Sequence, residues 1–511
     1  MQYAEGRSDF FFKRELAMNQ VTGDRGKYMA LVAALLGWMF DGFEMGLFPV
    51  VARPALQELM GDQFSDALFG RWYGVITAAF LVGAATGGVL FGWLGDRIGR
   101  VRAMTLSILT YAIVSALGAF AQHPWHLVAV RFLAALGMGG EWSLGVALVM
   151  EIWQGKSRGL LAGLIGAAGN LGYVIVALLS LFLTQVHTAL ESFLQIAHMP
   201  QNWINALTAN SGWRLLMLMG ILPAFLTMII RFFVPESHKW EEEKEQGRTN
   251  GWATIDLMGV LFGSFACFGI LYLWAIDCDW IMRAVGTCIL LVAVTIGYLL
   301  PIRNYLSRNN ETAEFRKATI SMMMVAAGLS GVALLGTWGS VLWSAPWADQ
   351  LSQGMAGAKQ YTQLTSALGA SIGCFVVAII GERFSRRWTY AFLCLISLGS
   401  AQLFFRTNDS FGPWFLFTIF IAGAFTAAFY GWLPLYLPEL FPTRIRATGQ
   451  GFGFNFGRIL AAIGSLQTGA LMKDVFGGDY GKACAVMSFI YLAGILLLPL
   501  MRETKGQPLP D

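Results

Sequence analysis

Apolar residues run through this chain in long unbroken stretches, and polar residues gather in the short segments between them. A membrane-spanning helix needs roughly 20 predominantly apolar residues. Six such runs lie at about 27–51, 70–95, 102–121, 125–150, 157–184 and 212–234. A polar stretch follows from Glu236 to Asn250. Two more runs lie at about 256–276 and 281–303, and a charged stretch continues through Lys317. Six further runs lie at about 318–344, 360–382, 387–405, 412–438, 446–473 and 481–502. The pattern predicts an all-α integral membrane protein with 14 spans, arranged six, two, six. Its segments are a tail (1–26), a six-helix bundle (27–234), a central segment with two extra spans (235–317), a second six-helix bundle (318–502) and a short tail (503–511). The first run is about 25 residues long with no small-residue cleavage site after it, so it reads as a span rather than a removable leader.

Charge tests that count. Lys and Arg favour cytoplasmic loops. With both tails inside, the inner connections and tails hold 24 of the 35 Lys and Arg, and the outer connections hold eight. The other three, Arg131, Arg231 and Arg458, lie in spans. Dropping one middle span would invert the second half, so the extra helices come as a pair. The reading places the chain in the plasma or inner membrane with both termini cytoplasmic. The longest outer connection, 185–211, holds His187, His198 and Trp203 but no Lys or Arg, and has room for an interfacial helix.

Composition removes other classes. The chain is 56% hydrophobic and only 13% charged, too few charges to cover a soluble protein of 511 residues. Lipid must be the solvent for much of the surface, and no basic run invites nucleic acid. Six cysteines without a CxxC pair read as small hydrophobes, so no metal site is expected. No HExxH, GxSxG or Walker loop is present, which argues against an enzyme and against ATP-driven work by this chain alone.

The two six-span blocks share a pattern. After the second span stands Gly92-Trp-Leu-Gly95-Asp96-Arg97-Ile-Gly99-Arg100, and after its counterpart stands Gly381-Glu382-Arg383-Phe384-Ser385-Arg386. After the fourth span come Glu151, Arg158 and Gly163; their counterparts are Glu439, Arg446 and Gly451. The offsets are 286 and 288 residues. Duplicated halves of this kind are what alternating-access carriers are built from. Asp96 can accept from N–H groups at the start of a nearby helix, where the helix dipole favours an anion.

The run Gly92 to Arg102 resembles the loop signature of the major facilitator superfamily. That resemblance implies two six-helix bundles related by a pseudo-twofold axis, here with an inserted pair. It also implies that the loop cluster latches the halves together on the cytoplasmic side. The residues concerned are Gly92, Gly95, Asp96, Arg97, Gly99, Arg100, Glu151 and Arg158, with Glu382, Arg383, Glu439 and Arg446 in the copy.

Charges inside spans are costly and mark function. Asp41 and Glu44 share one face of the first span, near the midplane. The fourth span carries Arg131 and Glu141, with Arg131 at about the level of Glu44 or a turn beyond. An acid facing an arginine there is a proton-coupling unit or a fixed ion pair. Arg458, near the midplane of the penultimate span, offers a guanidinium fork that suits a carboxylate from substrate or from another span. Asn455, Asn170, Tyr173, Gln363, Trp338, Tyr430 and Trp432 are candidates to line a cavity, whereas Trp343 and Trp347 lie near a span end and read as interfacial belt residues. Asp41-Gly-Phe-Glu44 and Arg446-Ala-Thr-Gly-Gln-Gly resemble aromatic-acid:proton symporters. Arg131-Phe-Leu-Ala-Ala-Leu-Gly-Met-Gly-Gly-Glu141-Trp is similar to sialate:proton and metabolite:proton symporters and, more distantly, to sugar porters. The resemblance implies a monomeric carrier of a small organic anion, with a proton as coupling ion and no cofactor. A sugar or polyol carrier is the alternative, and a channel or a transport-dead sensor fits the motifs less well.

Overall fold

A computed structural model of the chain describes residues 2–153, 158–226, 230, 234–276, 278–353, 355 and 357–510. These residues are helical, with no strand among them. In a bilayer each backbone N–H and C=O must be satisfied within its own segment, and helices do this.

The N-terminal half holds α1 (Gln2–Met60), α2 (Asp66–Ile98), α3 (Arg100–Leu117), α4 (Pro124–Ile152), α5 (Arg158–Ile196) and α6 (Gln201–Leu218). A short α7 (His238–Glu245) precedes the inserted pair, α8 (Leu257–Ala275) and α9 (Trp280–Arg308). The C-terminal half holds α10 (Ala313–Trp338), α11 (Ser344–Leu351), α12 (Ala358–Arg383), α13 (Arg386–Arg406), α14 (Pro413–Thr426), α15 (Phe429–Tyr436), α16 (Arg446–Ala470), α17 (Tyr480–Met487) and α18 (Ile490–Leu497). Turn chemistry sets several boundaries. Gly99 breaks α2 from α3 at φ 112°, a backbone angle that side chains avoid. Thr312 caps α10 and Asp279 caps α9.

The halves meet along two matched seams, α2 against α16 and α5 against α12. The inserted pair packs on α2. There Thr86 shares hydrogen bonds with Ser264 (3.1 Å) and Tyr298 (2.7 Å), a polar contact inside an apolar interface. At its other end Arg308 forks onto Asp256 at 2.6 and 2.8 Å.

The expected count of 14 spans is not confirmed, and one expectation is overturned. Among the described residues 12 helices are long and apolar enough to cross a membrane, or 13 if the bent stretch Gln201–Asn210 plus Gly212–Leu226 is one span, rather than 14. The helix α16 falls outside that set because Arg446, Gln450, Asn455 and Arg458 make it polar. Residues 227–229 and 231–233 of the sixth run, with Arg231, lie outside the described residues. The 185–211 connection is largely helical, since α5 continues to Ile196 and α6 begins at Gln201. Trp347 is no belt residue: it is buried against Phe404, Phe405 and Phe415.

Candidate functional site

Two clusters of buried charge lie on the seams. The first is inside the spans. Glu44 on α1 forms an ion pair with Arg131 on α4 and also accepts from Ser115 on α3 at 2.7 Å. The Arg131 guanidinium lies over the rings of Phe80 (4.4 Å) and Phe48 (5.2 Å). This pair therefore has its counter-charges built in, although Arg131 Nε has no hydrogen-bond partner among the described residues.

Asp41, one turn earlier on α1, is different. Its carboxyl meets that of Glu141 on α4, and Arg458 of α16 is the charge of opposite sign that acts on it. All three side chains are buried. Neither oxygen of Asp41 nor Oε2 of Glu141 has a donor among the described residues. Arg458 forms no ion pair there either: Nη1 is unpartnered and the guanidinium lies 5.3 Å from the Phe454 ring centre. Buried polar groups without partners are costly, so an unpaired guanidinium with Asp41 as its acidic neighbour is a candidate site for binding a ligand or a proton.

The surrounding candidates divide. Tyr173 on α5 and Tyr430 on α15 are electrostatic neighbours of Arg458, and Gln363 on α12 presents an unpartnered Nε2 near Gly46. Below them, Trp142 and Phe454 stack across the seam with centroids 3.8 Å apart. Asn455 spends its NH2 on the carbonyls of Gly139 and Gly451, each at 3.0 Å, so it joins the halves more than it faces a ligand. Asn170 bonds its own helix at Gly166 O. Trp338 is half-buried and packs against the core. Trp432 is a correction: it is wholly buried between Tyr390 and Tyr436, a packing position inside the C-terminal half.

The second cluster closes the basic end of the bundle. Asp96 at the end of α2 accepts from the backbone N–H of Thr448 (2.8 Å) and Ala447 (3.3 Å) and from the Thr448 hydroxyl (2.6 Å). These groups open α16, where the helix dipole favours an anion. Arg100 bonds Asp96 (2.6 Å), Glu151 (3.1 Å) and the Thr443 carbonyl (2.7 Å). Arg446 from the other half reaches Glu151 at 2.8 Å. The copy repeats the plan: Arg386 bonds Glu439 at 2.9 Å, and Arg158 crosses to Glu439 at 3.6 Å. The glycines permit this closeness. A Cβ at Gly92 would press on Ala447 O, and one at Gly95 on the Leu144 side chain. Two candidates stand outside the latch. Arg97 turns to Thr254 at 2.8 Å beside the inserted pair, and Arg383 is exposed.

Sequence reasoning missed four members. Glu236 accepts from the N–H of Arg100 (2.8 Å) and Val101 (3.1 Å), capping α3, while Ser237 bonds Glu151 at 2.5 Å. In the copy Glu503 accepts from the N–H of Arg386 (3.0 Å), capping α13, and Thr504 bonds Glu439 at 2.5 Å. The signal was present: an acid followed by a hydroxyl residue, just after the last span of each half. Outside the spans, burial pushes the Glu236 carboxyl above its usual range, against the pull of the N–H groups it accepts.

Known proteins place this arrangement. The Major Facilitator Superfamily profile matches residues 28–353, and a sugar (and other) transporter profile matches 352–506. A cis,cis-muconate transport protein of Acinetobacter baylyi is 24% identical over 94% of this chain and 95% of its own length. The sialic acid transporter NanX of Escherichia coli is 23% identical over 92% of this chain and 93% of its own. Among solved structures the proton:xylose symporter XylE covers 95% of this chain and 98% of its own, at 17% identity and TM-score 0.67, which shows a shared fold. With that profile spanning more than half its length and two duplicated helical halves latched at the signature loop, the chain belongs to the Major Facilitator Superfamily, a multi-pass membrane transporter and not an enzyme.

Proposed function

We propose that this protein carries a small organic anion across the membrane together with a proton, by alternating access, as a monomer with both termini cytoplasmic in the inner membrane. One observation carries the reading: Arg458 is buried on the seam with an unpartnered Nη1 and no ion pair among the described residues. A carboxylate would supply the bond that Nη1 lacks and matches the guanidinium fork. Relatives named for muconate and sialic acid support the same chemistry. A neutral sugar would leave that charge uncompensated, which weighs against the sugar-carrier alternative despite the matching profile. In the state described, the basic end is the closed end, and we assign it to the cytoplasm.

Purified protein is heated with cis,cis-muconate, sialic acid or xylose. A ligand of the native state at 100 times its Kd adds about 2.7 kcal/mol of stability. Stabilisation by an acid but not by xylose is expected. The Arg458→Lys variant keeps the charge and loses the fork, so the acid should bind at least tenfold more weakly, since a hydrogen bond to a charged group is worth about 1.5–3 kcal/mol. Stabilisation by xylose alone, or an unchanged affinity in Arg458→Lys, rejects the reading.

A further inference from the structure

Two acids on α1 are candidates for the coupling proton, and their surroundings separate them. Glu44 is held by Arg131 and Ser115. Taking up a proton there would break an ion pair and strand a buried guanidinium, which is expensive. Asp41 has no such cation in contact. It faces Glu141, and neither oxygen of Asp41 nor Oε2 of Glu141 has a donor among the described residues. Two acceptors in contact in a dry site cannot both be ionised without large cost, and one proton between them turns the contact into a hydrogen bond. Gly37, one turn before Asp41 on α1, is what lets Glu141 come so near, because a Cβ there would overlap Glu141 Oε1.

Counting charge gives the same answer. The cluster holds three carboxyls, Asp41, Glu44 and Glu141, against two guanidinium groups, Arg131 and Arg458. The other titratable groups turned to it are the neutral phenols Tyr73 on α2, Tyr111 on α3, Tyr173 on α5 and Tyr430 on α15. One proton makes the cluster neutral. A cavity of ≈ 10 Å³ beside Glu141, lined also by Trp38, Trp142 and Ile165, has space for about one water through which that proton could pass.

We propose that Asp41 and Glu141 form a shared-proton pair that carries the coupling proton, while Glu44 stays the fixed counter-ion of Arg131. The proposal rests on the symport reading above. A monocarboxylate docking on Arg458 adds one negative charge, and neutrality then calls one further proton onto the pair. Loaded, both Asp41 and Glu141 are carboxylic acids; when the site opens to the other side, substrate and that second proton leave together. The coupling is one proton for each monocarboxylate.

The test begins without substrate. Infrared difference spectra of the full-length protein in lipid, acid minus alkaline, should show the C=O stretch of a buried carboxylic acid. The band should vanish in Asp41→Asn and in Glu141→Gln, shift in Glu141→Asp, and persist in Glu44→Gln. A band that survives both single variants, or that only Glu44→Gln removes, overturns the proposal. Proteoliposomes then separate it from the reading beneath it. If wild-type protein takes up protons with none of cis,cis-muconate, sialic acid or benzoate, the symport reading fails even where the band behaves as expected. If proton uptake accompanies an acid and persists in Asp41→Asn and Glu141→Gln, the reading stands and the shared-proton pair is wrong. If a variant does not fold, Glu141→Asp still decides, because the shared proton should stay with a shifted band and altered pH dependence of uptake.

Discussion

The two halves carry the same loop at the same end and close on each other unequally. In the N-terminal half Asp96 is fully buried and takes three hydrogen bonds from the opening turn of α16. In the C-terminal half Glu382 stands at the matching place, half-buried, with its carboxylate against Gly159 at the start of α5. The cross-half ion pairs follow suit. Arg446 meets Glu151 at 2.8 Å with both side chains wholly buried, whereas Arg158 meets Glu439 at 3.6 Å and is 16% exposed. Exposed ion pairs contribute little, and buried ones are costly to break once one partner is gone. Of two latches with one ancestry, the N-terminal one therefore holds the basic end shut.

The largest expected effect tests that asymmetry directly. Asp96→Asn keeps the shape and removes the charge that α16 and Arg100 both satisfy. Losing a charge-assisted contact there costs about 2 kcal/mol, some thirtyfold in the ratio of closed to open. Glu382→Gln should change that ratio by about twofold or less. Spin labels at Arg102 and Trp388, exposed and at matching places in the two halves, read the ratio as a distance distribution once Cys278 and Cys288 are replaced by Ser. Equal effects from the two substitutions would show that the copy is no weaker than its twin.

How much of this could be read beforehand follows from the physics of each part. Spans and duplication were legible because a bilayer imposes length and polarity on every crossing. Asp96 at a helix start was legible because an acid beside a glycine turn needs donors. The common level of Glu44 and Arg131 followed from helix rise and position alone. What the sequence hid depends on rotation about helix axes. Nothing in the spacing of Asp41 and Glu141, 100 residues apart, says that their carboxyls meet while Glu44, one turn on, takes the arginine. Trp432 and Trp347 misled for the same reason, since an aromatic residue on a span looks alike whether it faces a cavity, lipid or a neighbour.

A middle-sized effect lies in the segment after the last span. Gln507 O accepts from Arg158 Nη2 at 3.0 Å, and Pro510 O accepts from Arg446 Nη2 at 2.6 Å. These are the two arginines that cross between halves, so residues 506–510 strap both latches at once. Deleting 506–511 removes both bonds, each worth about 0.5 kcal/mol on a largely exposed tail, together about fivefold in the ratio of closed to open. The closed fraction should fall severalfold, less than in Asp96→Asn, with the larger share passing through Arg446. The same label pair reads it, and a deletion without effect would leave the strap a bystander.

The smallest effect concerns the two helix caps, Glu236 on α3 and Glu503 on α13, which do the same work in different surroundings. Burial pushes the Glu236 carboxyl up. For Glu503 burial is the largest single influence and also pushes up, but the bonds from the Ser385 hydroxyl and the N–H groups of Arg386, Lys505 and Arg387 together outweigh it and hold the carboxyl below its usual range. Their pH dependence must therefore run in opposite directions. A depressed carboxyl stabilises the fold above its unfolded value and loses that contribution as pH falls through its folded one. A raised carboxyl carries a charge penalty at neutral pH that is relieved as pH falls through the raised value. Glu503→Gln should lower the unfolding temperature at neutral pH, a cap being worth about 1 kcal/mol and so about 1–2 °C in a chain of this size, and the gap should close on acidification. For Glu236→Gln the gap should instead widen in favour of wild type as the pH is lowered towards the ordinary carboxylate range, because only wild type gains by binding that proton. Melting curves of the two variants against wild type from neutral to mildly acid pH decide it; parallel trends would mean that the twin caps sit in equivalent environments, and that the asymmetry of the latches stops at Asp96.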